Sequence, residues 1–432
     1  MKTSTSPRTP QIAAFLLVLC TAIISTSTSA ADWPQWRGPN RDAISRETGL
    51  AETWPEEGPK LLWEFRGLGR GYSSVAIVGN RLYTMGDLDE GGQHSQFLVA
   101  MDLSKREVAW KLRVGPPHQD GSRCTPTVHD GLVYVLGTEG DLVCAQAADG
   151  KELWRKNMAA DFGGRMMSGW KFSESPLVDG EILICTPGGP QAALVALNRK
   201  TGELIWKCAP AAGQNLGAAA YASVVVSEAG GVRQYVTLLG NGAVGVEASS
   251  GRLLWHYPRI ANRTANIPTP VTDGDFVFVS TGYNTGSALL RLIKDGDVFK
   301  AEEVYWLGPN VFQCHHGGFL KLGRHIFGAH GHNGGNPICI EMATGKVQWS
   351  TNQIGRRSGA VVCVDNKLIY RYEDNTVVML DADPSEYRLR GKFNIPGRPG
   401  MGGPGWAHPV VVDGRLYLRH NDYLFCYDLR KT

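Results

Sequence analysis

LVALNRKTGELIW, residues 194–206, decides the fold: an apolar run meets a polar turn closed by glycine, and a second apolar run ends on tryptophan four residues later. Close relatives of this stretch are LVCAQAADGKELW ending at Trp154, AVGVEASSGRLLW ending at Trp255 and ICIEMATGKVQW ending at Trp349. Looser copies end at Trp110, Trp306 and, with phenylalanine in the slot, Phe393. Counted from Trp63, the steps are 47, 44, 52, 49, 51, 43 and 44 residues. A repeat of this length belongs to solenoids and propellers, in which a unit buries its apolar face only against its neighbours.

Tight turns count the same units independently. VGNRLY (78–83), HDGLVY (129–134), VDGEIL (178–183), TDGDFVF (272–278), VDNKLIY (364–370) and VDGRLY (412–417) each break an apolar run and resume it. EAGGVRQY (228–235) and LGRHIF (322–327) complete a set of eight. Asp-Gly and Gly-Asn between strand-like runs favour two-residue hairpins, whose central residues need positive φ. The glycines before the tryptophans supply a second hairpin in each unit by the same logic. Eight units of four short antiparallel strands predict an all-β chain folded as an eight-bladed β-propeller. The last unit, AHPVVVDG, RLYLRH and YLFCYDL, lacks an outer strand, whereas LLWEF at 61–65 is an outer strand without predecessors. The N-terminal strand is therefore expected to complete the last blade, with Trp63 and Tyr417 in one sheet and no free edge at the seam.

Residues 1–31 read as a signal peptide: basic Lys2 and Arg8, the apolar IAAFLLVLCTAII, and a small-residue site at Thr28-Ser29-Ala30. Leu19 stands where a lipidation signal ahead of Cys20 wants a small residue, so the expectation is an exported, periplasmic or extracellular protein without a transmembrane anchor after cleavage. Taking Lys2 and Arg8 from the 44 basic residues leaves 42 against 41 acidic ones, a balance that argues against nucleic acid as partner. The eight remaining cysteines contain no CxxC pair. On the strand assignment above, cysteines of one blade sit two strands, ~9–10 Å, apart, so most are expected to be buried small hydrophobes, with a bridge between blades left open. Residues 32–59 are rich in Pro, Gly and Trp and have no steady period. They are expected to form a strap that packs Trp33, Trp36 and Trp54 on the outside of a propeller spanning residues 60–432.

The A-x-D-x-x-T-G-x-x-x-W pattern resembles the tryptophan-docking repeat of the PQQ-like (quinoprotein-type) propeller family. That family includes pyrroloquinoline-quinone dehydrogenases and, more distantly, the propeller subunit of the outer-membrane β-barrel assembly machinery. DWPQWRGPNRD, GYSS, ANIPTPV, HHGG and WAHPV are similar to exported members of undefined function. The resemblance implies that the docking tryptophans are structural, packed between blades. For the enzymes it implies PQQ with a calcium ion held by acidic and amide side chains, and an aspartate base. No adjacent cysteine pair of the enzyme type is present, and Glu174 and Asn266 match calcium ligands by residue type alone.

In a four-stranded blade, the lead-in to the innermost strand and the turn between the second and third strands share one face. The lead-ins carry Arg70, Arg123, Trp170, Glu174, Asn266, His315, His316, Arg357, Trp406 and His408, and the second turn of the sixth unit carries Asn333. These residues are expected to line a ligand-binding mouth; the competing account is the hydrated rim that any propeller has. QCHHGG and GAHGHNGGNP of the sixth unit add a candidate transition-metal set, His315, His316, His330 and His332, without a nearby carboxylate. Because neighbours in a strand point oppositely, one of His315 and His316 is expected to face the channel. The functional expectation is a binding module for a small molecule or an envelope protein. The alternatives are a quinone- or metal-dependent oxidoreductase and an envelope assembly scaffold.

Overall fold

The computed structural model describes residues 1–2, 32–211, 213–352 and 354–431; residues 3–31, with the rest of the expected leader and its cleavage site, lie outside them. The described residues form eight sheets of four antiparallel strands, and one of these sheets gains a fifth, parallel strand. The innermost strands of blades one to eight are Ala76–Val78, Thr127–His129, Leu177–Asp179, Val225–Ser227, Val271–Asp273, Phe319–Leu322, Gly359–Val364 and Val410–Val412. Blade eight closes as expected: Leu61–Arg66 pairs antiparallel with Tyr423–Asp428, Trp63 opposite Cys426, and the Trp63 and Tyr417 rings lie 6.0 Å apart.

The repeat motif has a direct physical cause. A Cβ on Gly150 would stand 2.4 Å from the Trp110 ring, one on Gly202 2.8 Å from Trp154, and one on Gly251 2.5 Å from Trp206. These three outer-strand tryptophans thus lie against the turn glycine of the next blade, where positive φ and the missing side chain both favour glycine. The indole N–H groups of Trp154, Trp206 and Trp349 then donate across the blade boundary to Arg199 O, Ala248 O and Asp383 O. In blade one the position belongs to Arg106, at φ 57°, whose guanidinium sits over Trp63 instead. All eight cysteines among the described residues are buried and unpaired.

The strap runs elsewhere than expected. Trp33 pairs with Ile77 of blade one, and Pro34 O accepts from Val128 N of blade two. The Arg41 guanidinium donates to Ser175 O and Pro176 O of blade three and to Val224 O of blade four. Trp36 Nε1 donates to Thr269 Oγ1 of blade five, and Arg37 donates to Phe319 O of blade six. Ile44–Ser45 pairs parallel with Cys363 and Val364 of blade seven, and the Trp36 ring packs 4.4 Å from His408 of blade eight. Residues 33–45 therefore fill the central channel. The chain then reaches the outer strand of blade seven, where Trp54 packs against Phe393, before it enters blade eight. Inner strands leave their channel-facing carbonyls without partners, and a chain bearing two arginines satisfies them; an outside location for Trp33 and Trp36 is corrected on this ground.

Candidate funnel and imidazole cluster at the channel mouth

The plug divides the channel. On the lead-in face a cavity of about 320 Å³ remains, with Trp36 and Arg37 in its floor. Its walls are chiefly aromatic: Tyr72, Trp170, Tyr221, Tyr283 and Trp406. Tyr72 and Trp406 pack at 4.5 Å, and Trp170 and Tyr221 at 6.2 Å. A second cavity of about 510 Å³ opens on the opposite face among Arg41, Asp42, Asp179, Arg233 and Lys321.

Of the sequence-derived mouth residues, Arg123, Trp170, His315, His316, Asn333, Trp406 and His408 line the funnel. Arg70, Glu174, Asn266 and Arg357 do not. Arg70 and Arg357 are exposed outside the lining. The Asn266 amide is spent on Leu239 O and Gly240 O, and its oxygen on Asn262 N. Glu174 turns inward, accepts from Thr186 N, and burial lifts its carboxyl to about 7. A lead-in loop exposes alternate residues to the channel, so Ser173 and Ser175 face the cavity while Glu174 between them does not.

His315 and His316 both face the funnel, their rings 4.3 Å apart. The expectation of one inward residue assumed a strand, but residues 315–318 form a bend ahead of Phe319–Leu322. The two glycines of HHGG make the bend possible: a Cβ on Gly317 would fall 1.8 Å from Gly359 O of blade seven, and Gly318 holds φ 72°. This close approach brings the imidazoles beside blade seven. There Glu373, in the turn after strand Lys367–Tyr372, places Oε1 3.2 Å from His316 Nε2. Burial opposes the Glu373 anion, but contacts from His316, Trp406 and Ser358 outweigh it and hold the carboxyl below its ordinary range. One ligand-type atom from each of His315, His316 and Glu373 lies within 4.8 Å of the others.

The His315 tautomer follows from its neighbours. Ser358 Oγ has one proton, which it donates to His332 O at 3.1 Å, so at 2.8 Å it accepts from His315 Nδ1–H. The lone pair is left on Nε2, 3.2 Å from the Tyr283 hydroxyl. Burial drives His315 far below the ordinary histidine value and lowers His332 as well; it takes His408 to about 3. These imidazoles are neutral at physiological pH. The His332 ring packs tilted, 4.1 Å from His315, whereas His330 lies outside the lining, with Nδ1 accepting from Gln313 N. In a strand, residues two apart share a face, but Gly331 at φ 91° begins the turn and parts the two side chains.

Glu373, Tyr283, Trp36 and Arg37 were missing from the sequence-derived set. Glu373 in RYEDNT occupies the same turn of blade seven that carries GHNGG in blade six, and that equivalence was the available signal.

The donor set does not suit PQQ with calcium. Arg123 is committed to Trp170 O and Asp120, and Arg37 spends Nη2 on Phe319 O and Asp42 O, so of these two lining guanidiniums a tricarboxylate would meet unspent donors on Arg37 alone. Calcium takes six to eight oxygens, and the carboxylate beside the funnel is that of Glu373, set against imidazoles.

A family model described as outer membrane protein assembly factor BamB matches residues 94–351. The chain is 31% identical over 214 residues to the factor of that name from Burkholderia pseudomallei (strain K96243), covering 46% of this chain and 51% of the relative. It is 28% identical over 99 residues to 1-butanol dehydrogenase (quinone) of Thauera butanivorans, covering 23% of this chain and 15% of that one. The chain thus spans about half the length, or less, of these curated relatives. BamB from Moraxella catarrhalis superposes with TM-score 0.60 at 12% identity, over 86% of this chain and 98% of that one. Quinohemoprotein alcohol dehydrogenase from Comamonas testosteroni gives 0.62 at 12%, over 93% and 81%. At such identities the solved structures speak to the fold alone. Among the described residues, no helix is long and apolar enough to cross a membrane.

Proposed function

Since this chain belongs to the family described as outer membrane protein assembly factor BamB, a family of PQQ-like propellers, we propose that it is an exported binding protein of the cell envelope. In this reading its funnel takes a small, uncharged, ring-shaped ligand such as a saccharide. One observation carries the reading: a floored cavity of about 320 Å³, walled by aromatic rings and imidazoles, in which Arg123 is already committed to Trp170 O and Asp120. Flat rings favour stacking on indole and phenol faces, and histidine and asparagine side chains at the rim supply directional partners for hydroxyls. An export address rests on the expected leader and on the outer-membrane role in the family's description.

Titration of mono- and oligosaccharides, followed by tryptophan fluorescence and calorimetry, tests it. One saturable site is expected, weakened at least about 10-fold in Trp170→Ala or Trp406→Ala, the loss of one stacking face. No response across the panel, or unchanged affinity in both variants, refutes the reading. PQQ with calcium is expected to leave the protein without dye-linked alcohol oxidation.

The family match favours a second reading, a scaffold that docks an assembly partner. Affinity capture from envelope extract would then recover a β-barrel assembly protein, and its absence would end that reading.

A further inference from the structure

The geometry points to a divalent transition-metal site between blades six and seven, formed by His315, His316 and Glu373, with an open coordination position toward the funnel. The inference stands apart from the saccharide reading, because the metal would bind whether or not an organic ligand follows it.

Four observations converge. The first is compactness: ligand-type atoms of the three side chains gather within 4.8 Å of one another. Ligands around a zinc-like ion with bonds near 2.1 Å stand ~3.0–3.4 Å apart, so the three atoms need to approach one another by little more than about 1 Å. Second, the donors are ready. Ser358 takes the Nδ1 side of His315, so the ring lone pair lies on Nε2, where the rotatable Tyr283 hydroxyl at 3.2 Å is its neighbour. A serine on the opposite ring nitrogen is the kind of outer partner that orients metal-bound imidazoles. Third, His316 Nε2 is enclosed and lacks an aligned hydrogen-bond partner, although Glu373 Oε1 is 3.2 Å away. A buried ring nitrogen and a carboxylate oxygen facing each other across 3.2 Å mark a position that a cation satisfies. Fourth, the backbone is built for this approach, since Gly317 lies against Gly359 and thereby sets the histidine bend on the blade that carries Glu373.

Two nitrogens and one carboxylate suit zinc, cobalt or ferrous iron, and they disfavour calcium or magnesium. Three protein ligands leave room for water or a ligand atom. His315 and His316 line the cavity, so that open position faces it, beneath Tyr283 and beside His332. Arg357 Nη1, 3.8 Å from Glu373 Oε2, competes for the carboxylate, but its side chain is 71% exposed and can turn into water.

The test uses chelator-treated full-length protein and Co²⁺ as probe, read by visible absorption, with Zn²⁺ competition by calorimetry. One cobalt per chain is expected, with d–d bands of four- or five-coordination that zinc abolishes. Glu373→Gln and His316→Gln should each weaken binding by about 100-fold or more, at or beyond the loss seen for outer-shell partners. His330→Ala should bind as the unaltered protein does. Near-ultraviolet circular dichroism establishes that the variants are folded. Absence of a stoichiometric cobalt signal overturns the proposal. So does equal affinity in folded Glu373→Gln and His316→Gln, which would place the metal elsewhere.

Discussion

Arg419 offers a quantitative test of how the ring is locked. Its side chain is 1% exposed in the second strand of blade eight, yet its donors reach blade one. They meet the carbonyls of Ser73, Met85, Leu68 and Gly69, the Thr84 hydroxyl, and the carbonyl of nearby Asn421. Burial lowers its pKa to about 10, which still leaves it charged at neutral pH. Arg419→Met removes the charge and its desolvation cost, but strands five carbonyls in a dry seam. At about 1 kcal/mol for each group left without a donor, with partial relief from entering water, the loss is about 3–5 kcal/mol. For a chain of this size that corresponds to a melting temperature about 4–6 °C lower. Arg419→Lys should lose a comparable amount, because three donors on one nitrogen cannot span the same acceptors. Guanidinium-chloride unfolding measures the loss, with Arg388→Met as the exposed control, expected to change stability by less than about 1 kcal/mol. If Arg419→Met unfolds within about 1 kcal/mol of the unaltered protein, the seam is held by something other than this guanidinium.

Gly202→Ala pushes a Cβ into the Trp154 ring at positive φ and should destabilise the protein by about 2–3 kcal/mol. Arg106→Gly at the matching turn of blade one should stay within about 1 kcal/mol of neutral, and denaturant midpoints distinguish the two. Burial raises the Glu174 carboxyl from 4.5 to about 7, so the folded chain retains a proton that the unfolded chain releases across that interval. Stability should therefore fall as pH rises from 4.5 to 7, by of order 2–3 kcal/mol, and Glu174→Gln should flatten that slope. A slope unchanged in the variant would assign it to other groups. Burial pushes the thiols of Cys124, Cys144, Cys208, Cys314, Cys339, Cys363 and Cys426 up to about 12. Native protein should leave a thiol reagent unreacted at pH 8 until denaturant is added, and reductant should leave the melting temperature unchanged.

Blade number, strand order and closure were legible because each has a periodic cause: a docking ring every 43–52 residues, a turn glycine under it, and a lone outer strand to match a unit lacking one. The plug was not legible. Trp33, Trp36, Arg37 and Arg41 obey no period, since they meet different blades, and hydropathy does not distinguish a wet exterior from a channel of unpaired carbonyls. The mouth was legible in part. Lead-in positions identified Trp170, His315, His316, Trp406 and His408, but face alternation within a loop turned Glu174 and Asn266 away. The His316–Glu373 juxtaposition depends on the contact between Gly317 and Gly359, which joins residues 42 positions apart.

The occupied axis bears on the order in which the molecule assembles. Residues 33–45 touch every blade, so their partners are complete only when the final sheet exists, and that sheet itself requires Leu61–Arg66. The earliest-synthesised part of the described chain is thus among the last to settle. Its ordering closes loops of more than 300 residues, from Ile44 to Cys363 and from Trp36 to His408, which places it at the slow, high-contact-order end of folding. Until that step, Arg37 and Arg41 remain solvated, and blades already formed face an open hub. A stalled folding intermediate would therefore be a ring without its axle.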